Sequence, residues 1–544
     1  MSLIKSGFWF ALGTLFSRLF GLLRESVIAG VFGASVAMDA FLVANRIPNM
    51  LRELFAEGAL GSSFTKVFSE FWEKDQERAR QLLRDSLLFF SLLSLIVTLL
   101  GILGAPWLVE AMTMKSPSSG EEAESAGFFL QATDLTRLLF PFIGMMMVAS
   151  VTAGALHQKG RFLLSAVSPV ALNLGYLAGA LLFARWLSLS GPSWVLEYTG
   201  DQAITGLALG VLAGGFAQVA LQLWGLWRPF FKGHRLMKFS SVTGFSSDLK
   251  KVLWLMGPMV LASSAGQVNV LVNTNFATSL GTGAVTWLSF AFRLLQLPIG
   301  IFAVAVSSVA LPSFSRLLSR GSESRQQVSA QLFQACELMV WLMAACFCFF
   351  AVNSHSVIQL LFQQGAFSAA DSRETADALF YYSFGLVGYG LVKVLISYYY
   401  AKGRTGYAMK ISFLSIALNL LLNWMLVQAF GHRGLAMTAS MLLTVNALGL
   451  IWGLRGDGLS LPIRNLARGG LFLMLAATSS LVLTFLTFGF LSTYLQFSEW
   501  NLKIKSAVIL LVDGTLVTVI FGGLGCLRCR LSPSQAFSRL RRQG

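Results

Sequence analysis

Arginines and carboxylates interrupt the longest apolar stretches of the sequence. In ANRIPNMLRELFAEGALGSSF (44–64) they are Arg46, Arg52, Glu53 and Glu57. A guanidinium binds phosphate or carboxylate oxygens through two parallel hydrogen bonds and stays charged when water is removed. Arginines gathered within apolar helices therefore predict a site for a polyanion such as a pyrophosphate. The carboxylates would orient the arginines while that site is empty.

Other apolar stretches contribute Arg18, Arg24 and Arg293 to the same pattern. A charge that faces lipid costs about 2.5–3.5 kcal/mol on insertion scales, so we expect these side chains to line a water-filled cavity. The alternative is that the charges pair with one another and only hold helices together. Asp134 and Arg137, three residues apart, fit such a structural pair.

The second apolar stretch carries a polar stripe. On an ideal helix of about 100° per residue, the side chains of the stripe lie within roughly 40° of one another. They are Asp39, Arg46, Glu53 and Glu57. Pro48 lies inside this stretch and is expected to bend the helix, so the register of the stripe is not expected to persist beyond it.

The composition is that of an integral membrane protein. Of 544 residues, 55% are hydrophobic and 12% are charged, whereas soluble chains carry about 25% charged residues. The formal net charge of +16 indicates cytoplasmic loops rich in lysine and arginine rather than a nucleic-acid partner. Cys526 and Cys529 form one CxxC pair. A structural zinc site needs four ligands, so this pair alone does not indicate one. The sequence contains no P-loop, HExxH or nucleophile motif, so it predicts a transporter and no enzyme.

Fourteen apolar windows reach the length of about 20 residues that a bilayer requires. They are predicted at 8–33, 36–64, 86–112, 128–156, 162–185, 203–227, 252–279, 283–311, 329–352, 376–400, 407–430, 434–454, 469–493 and 506–527. Basic loops such as HQKGR (157–161) and AKGRTGYAMK (401–410) alternate with poorly basic ones such as SPSSGEEAES (116–125). This alternation predicts that both termini are cytoplasmic.

The sequence also contains an internal repeat. ANRIPNMLRELFAEG, from residue 44, resembles AFRLLQLPIGIFAVA, from residue 291, at an offset of 247 residues. Each segment is the second span of a six-span block, which predicts two lobes in a parallel repeat around a central cavity. The predicted domains are an N-lobe at 1–230, a C-lobe at 231–456, and two additional helices with a basic tail at 457–544.

Three segments give the chain a family resemblance: FSRLFGLLRE (16–25), FGASVAMDAFLVANRIPNMLRELFAEGA (32–59) and FRLLQLPIGIFAVAVSSVALPS (292–313). They resemble the MurJ (MviN) family of bacterial lipid II flippases, within the multidrug/oligosaccharidyl-lipid/polysaccharide exporter superfamily. The resemblance extends over the whole chain.

The resemblance implies roles for particular residues. With Arg46 from the polar stripe, the candidate substrate-binding residues are Arg18, Arg24, Asp39, Arg46, Arg52, Glu57 and Arg293. Spans 13 and 14 are expected to form a groove for the polyprenyl tail. Where many family members carry acids near the arginine of span 8, this chain has Phe292 and Gln296. Candidates for a sodium site are Asp248, Asn419 and Asn423, the last two of which also fit a pair of asparagines in helix packing.

The resemblance predicts that the chain flips undecaprenyl-pyrophosphate-linked lipid II across the bacterial inner membrane by alternating access. It implies no cofactor apart from a coupling monovalent cation or the membrane potential. The predicted partners are lipid II, membrane lipids and cell-wall synthesis proteins. Three alternatives stay open: a flippase for another polyprenyl-linked glycan, a cation-coupled multidrug exporter, and a scaffold that recruits cell-wall enzymes without transporting.

Overall fold

The computed structural model describes residues 19–113, 122–159, 161–190, 201–227, 247–320, 325–457, 459, 463–496 and 501–529. Every regular element in these ranges is a helix, which confirms the predicted all-α class. The described residues up to Thr286, together with Gln364–Phe367, form one compact unit, and the others form a second.

The first unit is built from ten helices and two π-helical segments in its described part. They are α1 (19–32), α2 (Val36–Leu51), π1 (Arg52–Leu60), α3 (Gly61–Lys74), α4 (Gln76–Met112), α5 (Glu122–Leu139), α6 (Pro141–Gln158), α7 (Phe162–Ala178), π2 (Gly179–Phe183), α8 (Ala184–Ser190), α9 (Gln202–Leu226) and α10 (Ser247–Thr278). Helix α10 thus packs with the first unit, although it belongs to the second of the predicted repeat halves.

The second unit begins within α11, three residues after the start of that helix. Its described elements are α11 (Ala284–Pro298), π3 (Ile299–Ala303), α12 (Val304–Leu318), α13 (Arg325–Leu361), α14 (Ala369–Ser383), α15 (Leu386–Ala401), α16 (Thr405–Phe430), α17 (His432–Arg455), α18 (Ile463–Gln496) and α19 (Leu502–Cys529).

Ten helical stretches among the described residues are long and apolar enough to cross a membrane. The number is eleven if α14 and α15, which meet at an angle of 47°, form one broken span. The three other predicted spans correspond to α1, which represents the described part of the first, to the α2–α3 run and to α10. The α2–α3 run carries the charges discussed above. The chain is therefore a multi-pass helical membrane protein, and the count of fourteen spans stays a prediction.

Polar side chains set the start of several helices. Ser35 Oγ accepts a hydrogen bond from the Met38 amide at the start of α2, at 3.2 Å. Asp75 caps α4 through the amides of its first turn, and Asp201 caps α9 in the same way. Such caps satisfy amides that have no carbonyl partner within the helix, so they mark where a membrane helix begins after a loop.

The second predicted span is one continuous helical run with a change of register. Helix α2 contains Pro48, and the π-helical segment π1 follows directly from Arg52. A π-helix hydrogen-bonds from i to i+5 and so rotates every later residue relative to an α-helix. The ideal-helix stripe predicted from Asp39 to Glu57 is therefore interrupted, and the interruption begins at Arg52 rather than at the proline.

Helices α7 and α9 pack with their main chains in direct contact at glycine residues. A Cβ atom added to Gly175 would lie 2.4 Å from the Gly214 Cα, and one added to Gly210 would lie 2.4 Å from the Gly175 carbonyl oxygen. Small residues permit such close approach between membrane helices, where dispersion contacts rather than hydrophobic burial drive association. No side chain larger than hydrogen fits at these positions without moving a helix.

An apolar core cluster joins α13, α18 and α19 in the second unit. Its buried members are Ala344, Cys348, Ala476, Val517 and Phe521. Trp341 packs edge-on against Phe521, with ring centroids 5.7 Å apart. Helices α18 and α19, the two beyond the predicted repeat, are therefore packed against the rest of the second unit through α13.

Candidate functional site

The best-defined polar site in the described part of the first unit surrounds Arg24 on α1. Its Nη1 donates to Asn173 Oδ1 at 3.0 Å, and its Nε donates to Glu25 Oε1 at 3.0 Å. The guanidinium also lies over the Tyr176 ring, 4.3 Å from the centroid. The Arg24 side chain is only 14% exposed. We call Arg24, Glu25, Asn173 and Tyr176 the Arg24 cradle. The last three side chains hold the Arg24 guanidinium in one orientation.

The cradle is positioned by three helices. Asn173 and Tyr176 lie three residues apart on one face of α7, and Asn45 Nδ2 on α2 donates to the Tyr176 hydroxyl at 3.3 Å. Sequence reasoning missed these residues because they are neutral, and a neutral polar side chain costs much less in an apolar stretch than a charge does. Their spacing on one helix face is the signal that could have identified them.

Asp39 makes a different kind of contact from Arg24. Its Oδ2 accepts from the Gly283 amide at 2.6 Å, and its Oδ1 accepts from the Thr286 amide and hydroxyl at 2.8 and 2.6 Å. The carboxylate thus caps the first turn of α11, where the helix dipole favours a negative charge. The structure gives Asp39 a structural role, and its predicted contact with substrate stays a prediction.

The other predicted residues of the second span lie at its register change. Arg46 and Arg52 are half-buried, and Arg52 is the first residue of π1. Glu53 is exposed and accepts from Gln267 Nε2 on α10 at 3.0 Å and from Asn49 Nδ2 at 2.9 Å. Arg18 and the side chain of Glu57 lie outside the described residues.

Arg293 lies in the second unit, on α11, and is half-buried. Its neighbour Phe292 packs edge-on against Tyr382, with ring centroids 5.6 Å apart, and Gln296 is exposed. Phe292 therefore makes an aromatic contact at a position where the family resemblance predicts an acidic residue. That Arg293 shares one cavity with the arginines of the first unit stays a prediction.

The three candidates for a sodium site have defined partners. Both oxygens of Asp248 bind Arg78, each at 2.7 Å, in the first unit. In the second unit Asn419 and Asn423 are fully buried, and Asn423 Nδ2 donates to Asn419 Oδ1 at 3.0 Å. Within the described ranges no group of three His, Cys, Asp or Glu side chains could hold a metal ion. The sodium site stays a prediction.

Charged helix ends meet in both units. In the first, Lys251 Nζ lies 2.9 Å from Glu70 Oε2, and this hydrogen bond holds the pKa of Glu70 below its ordinary value. In the second, Asp457 binds Lys402 at 2.8 Å and also pairs with Arg404. Burial alone would raise the pKa of Asp457, but these basic neighbours and Tyr398 outweigh it and hold the pKa below its ordinary value.

Asp134 and Arg137 form the predicted structural pair, with Arg137 Nη1 2.9 Å from Asp134 Oδ1. This pair on α5 resembles the Arg24–Glu25 pair in chemistry, but its two members are one helical turn apart. It therefore offers a matched comparison for the Arg24 cradle.

Comparisons with known proteins agree on the family. The family model described as "Lipid II flippase MurJ" matches residues 28–510. A "Probable lipid II flippase MurJ" of Buchnera aphidicola subsp. Schizaphis graminum is 31% identical over 460 residues, which cover 84% of each chain. A "Lipid II flippase MurJ" of Burkholderia cenocepacia is 32% identical over 461 residues, covering 82% of this chain and 83% of that protein.

Solved structures show the same fold. A structure described as "Lipid II flippase MurJ, inward closed conformation" matches with a TM-score of 0.73 and 22% identity, covering 96% of this chain and 99% of that one. An inward-facing multidrug resistance MATE family transporter of the MOP superfamily matches with a TM-score of 0.63 and 16% identity, covering 81% and 95%. By the extent of the family model and the identity to its curated relatives, the chain belongs to the lipid II flippase MurJ family, whose members are transporters and not enzymes.

Proposed function

We propose that this protein carries lipid II from the cytoplasmic to the outer leaflet of the bacterial inner membrane by alternating access. Membership of the MurJ family supports the substrate. The observation that carries the mechanism is the Arg24 cradle: a guanidinium held in one orientation, within an apolar helix, by neutral and acidic partners. A preorganised guanidinium suits the pyrophosphate of an undecaprenyl-linked precursor.

The substrate-binding set extends beyond the cradle in this proposal. It comprises Arg18, Arg24, Asp39, Arg46, Arg52, Glu57 and Arg293. Arg46 and Arg52 support it because they are half-buried on the helical run next to α1 in sequence. Within the set Arg24 binds the anion, and Glu25 orients Arg24 in the empty state.

Contacts at helix ends support the proposed topology. Helices α4 and α10 meet at their starts through Arg78 and Asp248, and at their ends through the bond from Asn275 Nδ2 to the Ala111 carbonyl at 3.1 Å. They therefore run in the same direction, as two odd-numbered spans must. The ends of α15 and α17, both even-numbered spans, also meet, through Lys402 and Asp457. With the positive-inside rule, these contacts support our proposal that the basic ends and both termini are cytoplasmic.

The π-helical segments support the proposed parallel repeat. Segment π1 begins at Arg52 and π3 begins at Ile299, which are separated by the same 247 residues as the matching sequence segments. A π-helical segment is rare and is often found at a functional site. Its recurrence at equivalent places supports six plus six spans, divided near residues 230 and 456, with α18 and α19 as spans 13 and 14.

The surface of α18 supports a path for the lipid tail. A shallow hollow of about 350 Å³ lies there, lined only by Val352, Leu481, Val482, Phe485 and Leu486. An apolar hollow on the outside of a membrane helix suits a polyprenyl chain, which need not leave the hydrocarbon while the head group crosses. We propose that α18 and α19 guide this tail.

The test compares three variants in cells depleted of their own flippase, with outer-leaflet lipid II as the readout. Arg24→Lys keeps the charge but loses the planar fork, so it should reduce translocation partially, and Arg24→Ala should abolish it. Arg137→Ala removes a comparable ion pair outside the proposed site and should retain translocation per molecule in the membrane. Equal translocation per molecule by Arg24→Ala and the wild type would refute the proposal.

A further inference from the structure

A single carboxylate lies at the middle of the last described helix. Asp513 is the central residue of the candidate span Leu502–Leu524, and its side chain is fully buried. At 1.5 Å per residue it lies about 16 Å from either end of that span. An ionisable side chain at such depth is retained only where the protein compensates for the loss of water, and it marks a functional site by default.

The contacts of Asp513 are polar and neutral. Thr487 Oγ1, on α18, donates to Asp513 Oδ1 at 2.6 Å. Asn353, on α13, lies beside the carboxyl group, but its buried amide makes no hydrogen bond of standard geometry with any described residue. Asp513 Oδ2 is likewise buried without a hydrogen-bond partner in the described part of the chain. The Asn353 amide and Asp513 Oδ2 are thus buried groups that lie side by side, each without a hydrogen-bond partner of standard geometry in the described part of the chain.

No described basic side chain pairs with this carboxyl group. Helices α13 and α18 pack against α19, and the described side chains of α18 from 473 to 491 include no ionisable group. On α13 the nearest ionisable residues in sequence are Cys348, in the apolar core cluster, and His355, which is exposed. On α19 the described ones are Lys503 and Lys505, near its start. None contributes to the electrostatic surroundings of Asp513.

We propose that Asp513 is a proton-binding site at the centre of the membrane. The neutral acid carries its proton on Oδ2 and donates it to Asn353 Oδ1, while Oδ1 accepts from Thr487. Protonation then gives both Asp513 Oδ2 and Asn353 Oδ1 a hydrogen-bond partner and removes a charge that lacks a counter-ion. The proton comes from hydronium, which leaves as water, and returns to water on release. This site is separate from the Arg24 cradle, and the inference does not depend on the lipid substrate.

The surroundings favour exchange with one side of the membrane. Towards the start of α19, Ser506 Oγ donates to Gln359 Oε1 at 2.8 Å, which extends the polar contacts between α13 and α19. Towards the other end, the apolar core cluster with Val517 and Phe521 fills the space between the helices. A proton would therefore reach Asp513 from the end at which α19 begins.

Infrared difference spectroscopy of the purified full chain tests the assignment, because a neutral carboxylic acid has a carbonyl stretch separate from that of a carboxylate. The wild type should show this band at pH 7, with a downshift in heavy water, and Asp513→Asn should lose it. Thr487→Val removes a hydrogen bond to the carbonyl oxygen, so the band should persist at higher frequency. Asp134→Asn, which changes a carboxylate paired with Arg137, should leave the band unchanged.

Three results would overturn the proposal. The first is a wild-type spectrum at pH 7 that matches the spectrum of Asp513→Asn. The second is a band that disappears when sodium replaces choline at constant pH, because the site would then take sodium rather than a proton. The third applies if Asp513→Asn cannot be purified: a band with the same frequency in Thr487→Val and the wild type would show that it arises elsewhere.

Discussion

Removing Arg24 should affect stability and transport through different contacts, and a second substitution can separate them. Arg24→Ala deletes the hydrogen bond to Asn173 and the contact with the Tyr176 ring, worth about 1.5–3 and about 0.5–2 kcal/mol in typical cases. It also leaves Glu25, whose side chain is 5% exposed, without its cation. Removal of one partner of a buried pair costs about 3–5 kcal/mol, so we expect a loss of that order in the free energy of unfolding.

Adding Glu25→Gln should return most of that loss, because the side chain left behind then carries no charge. Transport should not return, since the guanidinium that binds the pyrophosphate is still missing. The measurements are the apparent melting temperature of the purified protein at a fixed heating rate and outer-leaflet lipid II in depleted cells. If the double variant regains translocation together with stability, Arg24 serves only to hold helices, and the substrate-binding argument is wrong.

Three further predictions concern other parts of the chain. In the folded protein the pKa of Asp457 lies below its ordinary value. The ionised Asp457 therefore stabilises the fold above about pH 4, and this stabilisation is lost as the pH falls through the lowered pKa. Asp457→Asn should remove this part of the acid dependence of the melting temperature. Gly175→Val should sharply reduce membrane abundance on immunoblots, whereas Gly489→Ala, with open space around it, should not; equal abundance would contradict the packing of α7 on α9. In a cysteine-free background, an impermeant thiol reagent should label Arg373→Cys in intact cells and spare Lys159→Cys, and the reverse pattern would overturn the orientation.

The sequence predicts helices well and partners poorly, for physical reasons. A stretch such as Leu502–Leu524 is identifiable because its length and apolarity suit only a bilayer or a deeply buried helix. The partner of Asp39, in contrast, is a helix start more than 240 residues away, and nothing in local sequence reports it. Asn173 and Tyr176 were missed because neutral polar side chains occur in ordinary membrane helices as well as in binding sites.

Asp513 shows a different limit of sequence reasoning. Spans 13 and 14 contain no dense cluster of charges, so an argument based on clusters passes over one aspartate. Its importance depends on burial and on the absence of a described counter-ion, which only packing reveals. The change of register at Arg52 is similar: a proline is visible in the sequence, whereas a π-helical segment depends on how the turns close.

The bare-backbone contact between α7 and α9 also bears on how the protein moves. Two helices separated by a layer of side chains can slide, because rotamers readjust as the ridges pass one another. Where Gly175 faces Gly210 and Gly214, main chain contacts main chain, so no side chain lies between the helices that could readjust as they shift. We therefore expect α7 and α9 to move together as one rigid body during transport. Asn173 and Tyr176 lie on α7, so a movement of the α7–α9 pair would displace these partners of Arg24. A rotation of the helices would thereby change how strongly Arg24 binds the anion.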